Sequence, residues 1–133
     1  MTESDIHETN LPLEVGVIIL KVRDFQKMLS FYRDKLGLPL DSSDQPPMNY
    51  VRFEMPSCAL ELFEEKPGEL VQLPLPRNNS MTIAFKVSDI HAVYEDLRRR
   101  GVEFTKPVKD DDWGSYAQFT DPEGNKLQLY QMY

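Results

Sequence analysis

Hydrophobic and polar residues alternate along residues 81–87, MTIAFKV, which is the pattern of a strand with one buried face. After Asp89, a residue type favoured at helix N-caps, apolar residues recur at intervals of three and four, and Gly101 suits a helix end. Alternation returns on either side of the turn sequence DPEGN at 121–125 and predicts a β-hairpin. Residues 81–131 therefore predict a strand, a helix and three further strands.

The first half of the chain repeats this order. Residues 15–22 predict a buried strand, Asp24 repeats the N-cap, Gly37 repeats the helix end, and strands are expected at 50–55 and 60–63. Equivalent positions keep a nearly constant spacing over both halves, which indicates a duplicated βαβββ module. The paired positions are Val17 with Thr82, Asp24 with Asp89, Tyr50 with Tyr116, Phe53 with Phe119 and Glu61 with Gln128.

Three segments lack the pattern of the repeat. The N-terminal residues are mostly polar and predict a loosely held tail, residues 41–48 with two prolines predict a polar loop, and the proline- and asparagine-containing stretch between the two copies predicts a linker. The predicted organisation is a tail at 1–12, module one at 13–64, a linker at 64–80 and module two at 81–131, with 13–133 as a single domain.

Alternation also separates the two faces of each predicted sheet. The helix of each module must cover one face, so the opposite faces are left to line a cleft. Trp113, which precedes a predicted strand, either stacks on a planar ligand, caps the sheet or supports a dimer contact. The predicted cleft residues are Val17, Ile19, Lys21, Tyr50, Arg52, Ala59, Glu61 and Phe63 in module one, and Thr82, Ala84, Lys86, Tyr116, Gln118, Lys126, Gln128 and Tyr130 in module two.

Composition narrows the functional classes. The 15 Lys and Arg against 22 Asp and Glu give a formal net charge of −7, which disfavours nonspecific binding to nucleic acid or to an anionic membrane. The basic run at 98–100 and the acidic run at 110–112 are interpreted as a solvated helix end and an exposed loop. A single cysteine, Cys58, and the lack of an apolar run near the roughly 20 residues of a membrane span make a soluble cytoplasmic protein the expectation.

The sequence resembles the vicinal oxygen chelate superfamily, which includes glyoxalase I, extradiol dioxygenases and bleomycin-resistance proteins. The resemblance rests on the duplicated module together with LGLP at 36–39, LELFE at 60–64 and DPEGN at 121–125. It implies an α+β fold in which two tandem βαβββ modules form mixed sheets around a cleft.

The resemblance also implies where a metal would be held. Metal-dependent members carry four ligands, on the first and last strand of each module, and these positions fall on Val17, Glu61, Thr82 and Gln128. Only Glu61 is an ordinary ligand of a catalytic divalent metal, which needs about three or more converging donors. The sequence therefore predicts no metal and no other cofactor.

Three functions stay open. The first is a homodimer that binds a small aromatic or amphipathic molecule, as the resemblance to metal-free bleomycin-resistance proteins implies. The acidic chain suits a cationic ligand, whereas the Lys- and Arg-containing cleft suits a carboxylate or a phosphate. The second is a metal-independent isomerase or lyase with Glu61 as acid or base; the alternative role for Glu61 is a structural pair with Arg52 or a lysine. The third is a metal-dependent glyoxalase or dioxygenase with atypical ligands.

Overall fold

The structure is a computed structural model, which describes residues 11–44, 49–66 and 81–133. Most of the predicted tail, the later part of the predicted linker and the two prolines at 46–47 lie outside the described residues. Within the described residues, no helix is long and apolar enough to cross a membrane.

Two modules with the same element order make up the described chain. In module one, β1 pairs in parallel with β4, and the sheet order is β1-β4-β3-β2; in module two, β5 pairs in parallel with β8, and the order is β5-β8-β7-β6. The predicted pair of βαβββ modules with mixed sheets is confirmed. The elements are β1 Val17–Val22, α1 Phe25–Ser30 with a π-helical continuation Phe31–Lys35, β2 Leu40–Asp44, β3 Tyr50–Glu54, β4 Ala59–Glu64, β5 Thr82–Lys86, α2 Ile90–Arg99, β6 Phe104–Asp110, β7 Gly114–Thr120 and β8 Lys126–Met132.

Both helices begin and end where the sequence predicts. Asp24 accepts a hydrogen bond from the backbone N–H of Lys27, and Asp89 accepts one from that of Ala92, so each aspartate satisfies a donor that the helix leaves unpaired. Gly37 and Gly101 have φ values of +67° and +90°, a conformation that glycine adopts without strain.

The polar loop predicted at 41–48 is wrong over its first half. Leu40–Asp44 form strand β2, which pairs antiparallel with β3 at the edge of the sheet. The strand LDSSD has one apolar residue, so no hydrophobic alternation marks it, and its pairing depends on backbone hydrogen bonds to β3. The acidic run predicted as a loop also begins in a strand, because Asp110 is the last residue of β6.

Each helix covers one face of its own sheet. Buried side chains include Phe25 and Met28 of α1 against Val51 and Leu62 of the first sheet, and one core cluster continues into module two. We call the covered faces the helix faces. The opposite faces of the sheets of modules one and two are called polar face one and polar face two.

The DPEGN turn joins the two modules. Asp121, which is 4% exposed, accepts a hydrogen bond of 2.7 Å from the hydroxyl of Tyr32 in module one. The carboxylate of Glu123 accepts hydrogen bonds of 2.9–3.0 Å from the backbone N–H groups of Arg23 and Asp24, just before α1. The sequence predicts DPEGN only as a turn, but two of its side chains also bind module one through hydrogen bonds.

Candidate functional site

Polar face one carries the residues that alternation predicts for module one. The side chains are exposed along β1 and half-buried along β3 and β4, whereas the residues between them on β3 and β4 are buried. Ala59 has the same position in the alternation but is fully buried. The residues on this face are Val17, Ile19, Lys21, Tyr50, Arg52, Glu61 and Phe63.

Glu61 accepts two hydrogen bonds on one carboxylate oxygen. The Tyr50 hydroxyl donates to Oε2 over 2.7 Å, and Arg52 Nη1 donates to the same oxygen over 2.9 Å. Burial first, and then the bond to Glu61, raise the pKa of the Tyr50 hydroxyl above its usual value, so it remains a donor at neutral pH. Glu61 thus forms the pair with Arg52 that the sequence left open, and its use as an acid or base stays a prediction.

Arg52 lies among three carboxylates. Besides Glu61, its guanidinium contacts Glu54 at 3.0 Å and lies 3.9 Å from Asp41. The hydrogen bond to Glu61 is the largest cause that raises the pKa of Arg52, so the guanidinium is always charged. Because carboxylates of the chain already pair with Arg52, this residue is a poor anchor for an anionic ligand.

Aromatic rings lie beside this pair. The rings of Tyr50 and Phe63 have centroids 4.8 Å apart, and the ammonium of Lys21 lies over the Phe63 ring at 5.2 Å. Polar face one thus combines apolar ring surface with closely balanced charges.

Polar face two has a cross-strand side-chain pair at the equivalent place, but it consists of neutral groups. Gln118 donates from Nε2 to Gln128 Oε1 over 2.9 Å, and the two residues are direct neighbours in the β7–β8 ladder, as Arg52 and Glu61 are in the β3–β4 ladder. The duplicated position therefore holds an ion pair in module one and an amide pair in module two. The residues predicted for this face, Thr82, Ala84, Lys86, Tyr116, Gln118, Lys126, Gln128 and Tyr130, are all exposed or half-buried.

Trp113 belongs to an aromatic surface that continues through Tyr116, two residues before Gln118 on β7. Its ring stacks on that of Tyr116, with centroids 5.9 Å apart and planes 18° apart, and the tryptophan is still 41% exposed. The Trp113 carbonyl accepts a hydrogen bond from the backbone N–H of Tyr133, which fixes the chain at this point. Tyr130 is the cross-strand neighbour of Tyr116, so three aromatic residues lie close to one another.

A cavity of about 800 Å³ lies where module one meets β5. The unpaired edge of β5 forms one side, with Thr82 and Lys86 among the lining residues, and the β3–β4 turn from Met55 to Cys58 forms another. The cavity therefore adjoins polar face two but belongs to the junction of the modules.

Sequence reasoning missed two lysines on polar face two. Strand β6 lies beside β7, where Lys106 is the neighbour of Gln118 and Lys109 the neighbour of Tyr116. Pro107 interrupts the alternation of this strand, so the sequence did not delimit it. The one signal available was the duplication, which requires a strand between the helix and the hairpin.

Known proteins share the fold and the sequence pattern. The profile of the Glyoxalase/Bleomycin resistance protein/Dioxygenase superfamily matches residues 14–129. The chain belongs to this superfamily. The uncharacterized protein YraH of Bacillus subtilis is 33% identical over 123 residues, a match that covers 86% of this chain and 95% of YraH.

Solved structures of other proteins superpose on nearly the whole chain. The crystal structure of a glyoxalase/bleomycin resistance protein/dioxygenase from Nocardioides has a TM-score of 0.73 at 24% identity, and covers 97% of this chain and 89% of that one. TnmS3, an antibiotic-binding protein from Streptomyces, has a TM-score of 0.69 at 22% identity, and covers 93% of this chain and 100% of TnmS3. Identities this low establish the shared fold alone.

The residues at the superfamily's metal positions do not fit a divalent metal. Glu61 is bonded to Tyr50 and Arg52, and Gln128 accepts its bond from Gln118. The cross-strand neighbours of Glu61 and Gln128 are Ile19 and Ala84, which have no metal-binding atom in their side chains. Val17 has none either, and Thr82 has only a neutral hydroxyl. In the described part of the chain, no three His, Cys, Asp or Glu side chains form a group that could hold a metal ion.

Proposed function

We propose that this superfamily member is a small-molecule-binding protein that holds a planar aromatic or amphipathic ligand on its polar faces without the usual catalytic metal. The main support for this proposal is the partly exposed stack of Trp113 on Tyr116, which adjoins the Gln118–Gln128 pair on the same sheet face. A planar ring gains apolar contact and stacking energy on such a surface, and the amides offer donors and acceptors that fix its orientation.

The chemistry at the metal positions supports binding rather than metal-dependent turnover. Glu61, the one acidic residue among the four positions, is paired with Arg52. TnmS3 shows that this fold accommodates an antibiotic-binding protein. The fold itself does not choose between binding and catalysis, so the proposal depends on the residues of the two faces.

The proposal includes a homodimer. Among the described residues, the contacts between modules include the Tyr32–Asp121 bond and a small cavity that Leu36 and Leu38 share with Phe85, both on the helix side of the sheets. No element of the described chain covers the polar faces, and apolar residues such as Ile19 are exposed on them. A second copy that covers these residues would convert two open faces into a closed cleft.

Intrinsic fluorescence tests the proposal, because Trp113 is the only tryptophan of the chain. We expect planar bicyclic compounds such as naphthalene derivatives to change its emission in a saturable manner, with the same affinity in the presence of EDTA. Calorimetric titration of Trp113→Ala should show affinity lowered by roughly two- to tenfold, which corresponds to about 0.5–1.5 kcal/mol for one aromatic stacking contact.

Tyr94→Phe is the matched control, since its ring packs on Phe104 at the helix side of module two, away from the polar face. Saturable binding that survives Trp113→Ala unchanged would contradict the proposed position of the ligand. Loss of binding in EDTA would contradict the metal-free site.

A further inference from the structure

Strand β6 contains a bulge that changes which side chains share a face. Lys106 pairs in register with Gln118, and Lys109 pairs with Tyr116, with a register shift between the two lysines. In an unbroken strand, residues three apart point to opposite faces. Here the irregularity at Pro107 and Val108 places both lysines beside residues of polar face two.

The two lysines border a concave space of about 440 Å³. Its described lining consists of Lys106, Pro107, Val108, Lys109 and Tyr116. Because Tyr116 also stacks on Trp113, the space adjoins the aromatic surface of the proposed ligand site. A ring that lies against Trp113 can therefore direct a substituent toward both ammonium groups.

The charges on polar face two are mostly positive. Lys86 is the cross-strand neighbour of Tyr130 on the far edge of the same sheet. Among the described residues, no ion pair or hydrogen bond joins the side chain of Lys86, Lys106 or Lys109 to a carboxylate. The nearest acidic residue on β6, Asp110, accepts a hydrogen bond from the hydroxyl of the buried Ser115.

Module one offers the contrast. At the equivalent ladder position, Ser42 of β2 is the neighbour of Arg52, whereas Lys106 of β6 is the neighbour of Gln118. The guanidinium of Arg52 is already paired with Glu54 and Glu61. Of these two equivalent ladder positions, the one in module two therefore leaves its positive charge available to a ligand, although the chain as a whole is acidic.

We infer that Lys106 and Lys109 form an anion subsite that binds the carboxylate of an aromatic carboxylate ligand. The inference rests on the proposed function, because the ring of that ligand lies on Trp113 and Tyr116. Two ammonium groups at the border of an apolar surface favour a carboxylate by charge and hydrogen bonding, and its ring by contact area. A lipid or nucleic acid is disfavoured by the net charge of −7 on the chain.

The test compares three probes of one shape by isothermal titration calorimetry at low ionic strength: 2-naphthoate, the neutral 2-naphthamide and the cationic 2-naphthylmethylamine. We expect 2-naphthoate to bind roughly three- to tenfold more tightly than 2-naphthamide, as two partly exposed charge contacts would give. The preference should shrink when salt is added.

The double variant Lys106→Gln, Lys109→Gln should lose this preference and keep its affinity for 2-naphthamide. Lys27→Gln, at an exposed position on α1, is the control and should behave like the unchanged chain. Circular dichroism of each variant verifies the fold.

The outcomes separate the two proposals. Equal binding of the three probes, tightest binding of the amine, or a carboxylate preference that survives the double variant would overturn the anion subsite and leave the proposed function in place. Failure of all three probes to bind the unchanged chain would overturn both.

Discussion

At the residue scale, Tyr32 and Asp121 show how far a sequence pattern reaches. Tyr32 follows Met28 by four residues and Leu29 by three, which is the spacing of residues on the buried side of a helix, and it is buried; DPEGN correctly predicts a turn at Asp121. Neither pattern predicts that the hydroxyl of one binds the carboxylate of the other across 89 positions of sequence. Local periodicity determines which way a side chain points, whereas its partner depends on how the modules pack.

Removal of the Tyr32 hydroxyl should destabilise the protein. In Tyr32→Phe, Asp121 loses a buried donor, which is expected to lower the free energy of unfolding by about 1–3 kcal/mol. Urea denaturation at neutral pH measures this change. Tyr94→Phe, whose ring packs on Phe104, should change stability much less, and equal losses in the two variants would contradict the role of the Tyr32–Asp121 bond.

The same tyrosine should make stability depend on alkaline pH. Burial, followed by the charge of Asp121, raises the pKa of the Tyr32 hydroxyl far above its usual value, so the unfolded chain releases this proton first. The contribution is complete below about pH 10, and falls by about 1.4 kcal/mol per pH unit above it. Denaturation curves between pH 9 and pH 11 should show a steeper loss for the unchanged chain than for Tyr32→Phe.

At the element scale, prediction succeeds where one face of an element is buried. The strands β3, β4, β5, β7 and β8 and the helices alternate or repeat visibly, and β1 is a nearly continuous apolar run, because their apolar residues pack on a helix or a sheet. The edge strand β2 is polar, and β6 contains Pro107 and a bulge, so neither gives a clear alternation. The two lysines of the anion subsite lie on β6, which explains why the sequence did not identify them.

The start of β7 depends on close approach of two backbones at Gly114. A Cβ at this position would lie 2.1 Å from the carbonyl oxygen of Gln131 on β8. Gly114→Ala must therefore push the strands apart next to Trp113, at an expected cost of about 1–3 kcal/mol. Thermal denaturation and the emission maximum of Trp113 measure the two effects.

Gly16→Ala is the matched control for that substitution. A Cβ at Gly16 meets no atom within 4 Å, so its stability should stay close to that of the unchanged chain. A Gly114→Ala variant as stable as Gly16→Ala, with unchanged emission, would show that the strands adjust freely.

At the scale of the whole molecule, duplication predicts the architecture but not the chemical difference between the polar faces of the two modules. Equivalent spacing over both halves was enough to predict two βαβββ modules. The replacement of Glu61 by Gln128 at the equivalent position was visible in the sequence, whereas the Gln118–Gln128 pair and the carboxylates around Arg52 were not. One of these carboxylates, Asp41, lies in the strand that the sequence interpreted as a loop.

The proposed homodimer has a direct test in solution. Ile19 is 52% exposed on polar face one, and we expect Ile19→Glu to convert a dimer into a monomer because burial of an unpaired carboxylate is costly. Sedimentation velocity measures the change. Leu40→Glu alters a residue of similar exposure on the far edge of the same sheet and should leave the dimer intact; a monomeric unchanged chain would contradict the proposal.

The one-sided junction of the modules has a mechanical consequence. The β7–β8 turn of module two is hydrogen-bonded to module one through Asp121 and Glu123. The corresponding β3–β4 turn of module one, from Met55 to Cys58, instead borders the cavity of about 800 Å³. In the described residues, no hydrogen bond crosses that cavity from the turn to β5. We expect any rotation of one module against the other to pivot about Asp121, with its amplitude greatest along β5, so that the protein would open like a hinge as a ligand enters or leaves.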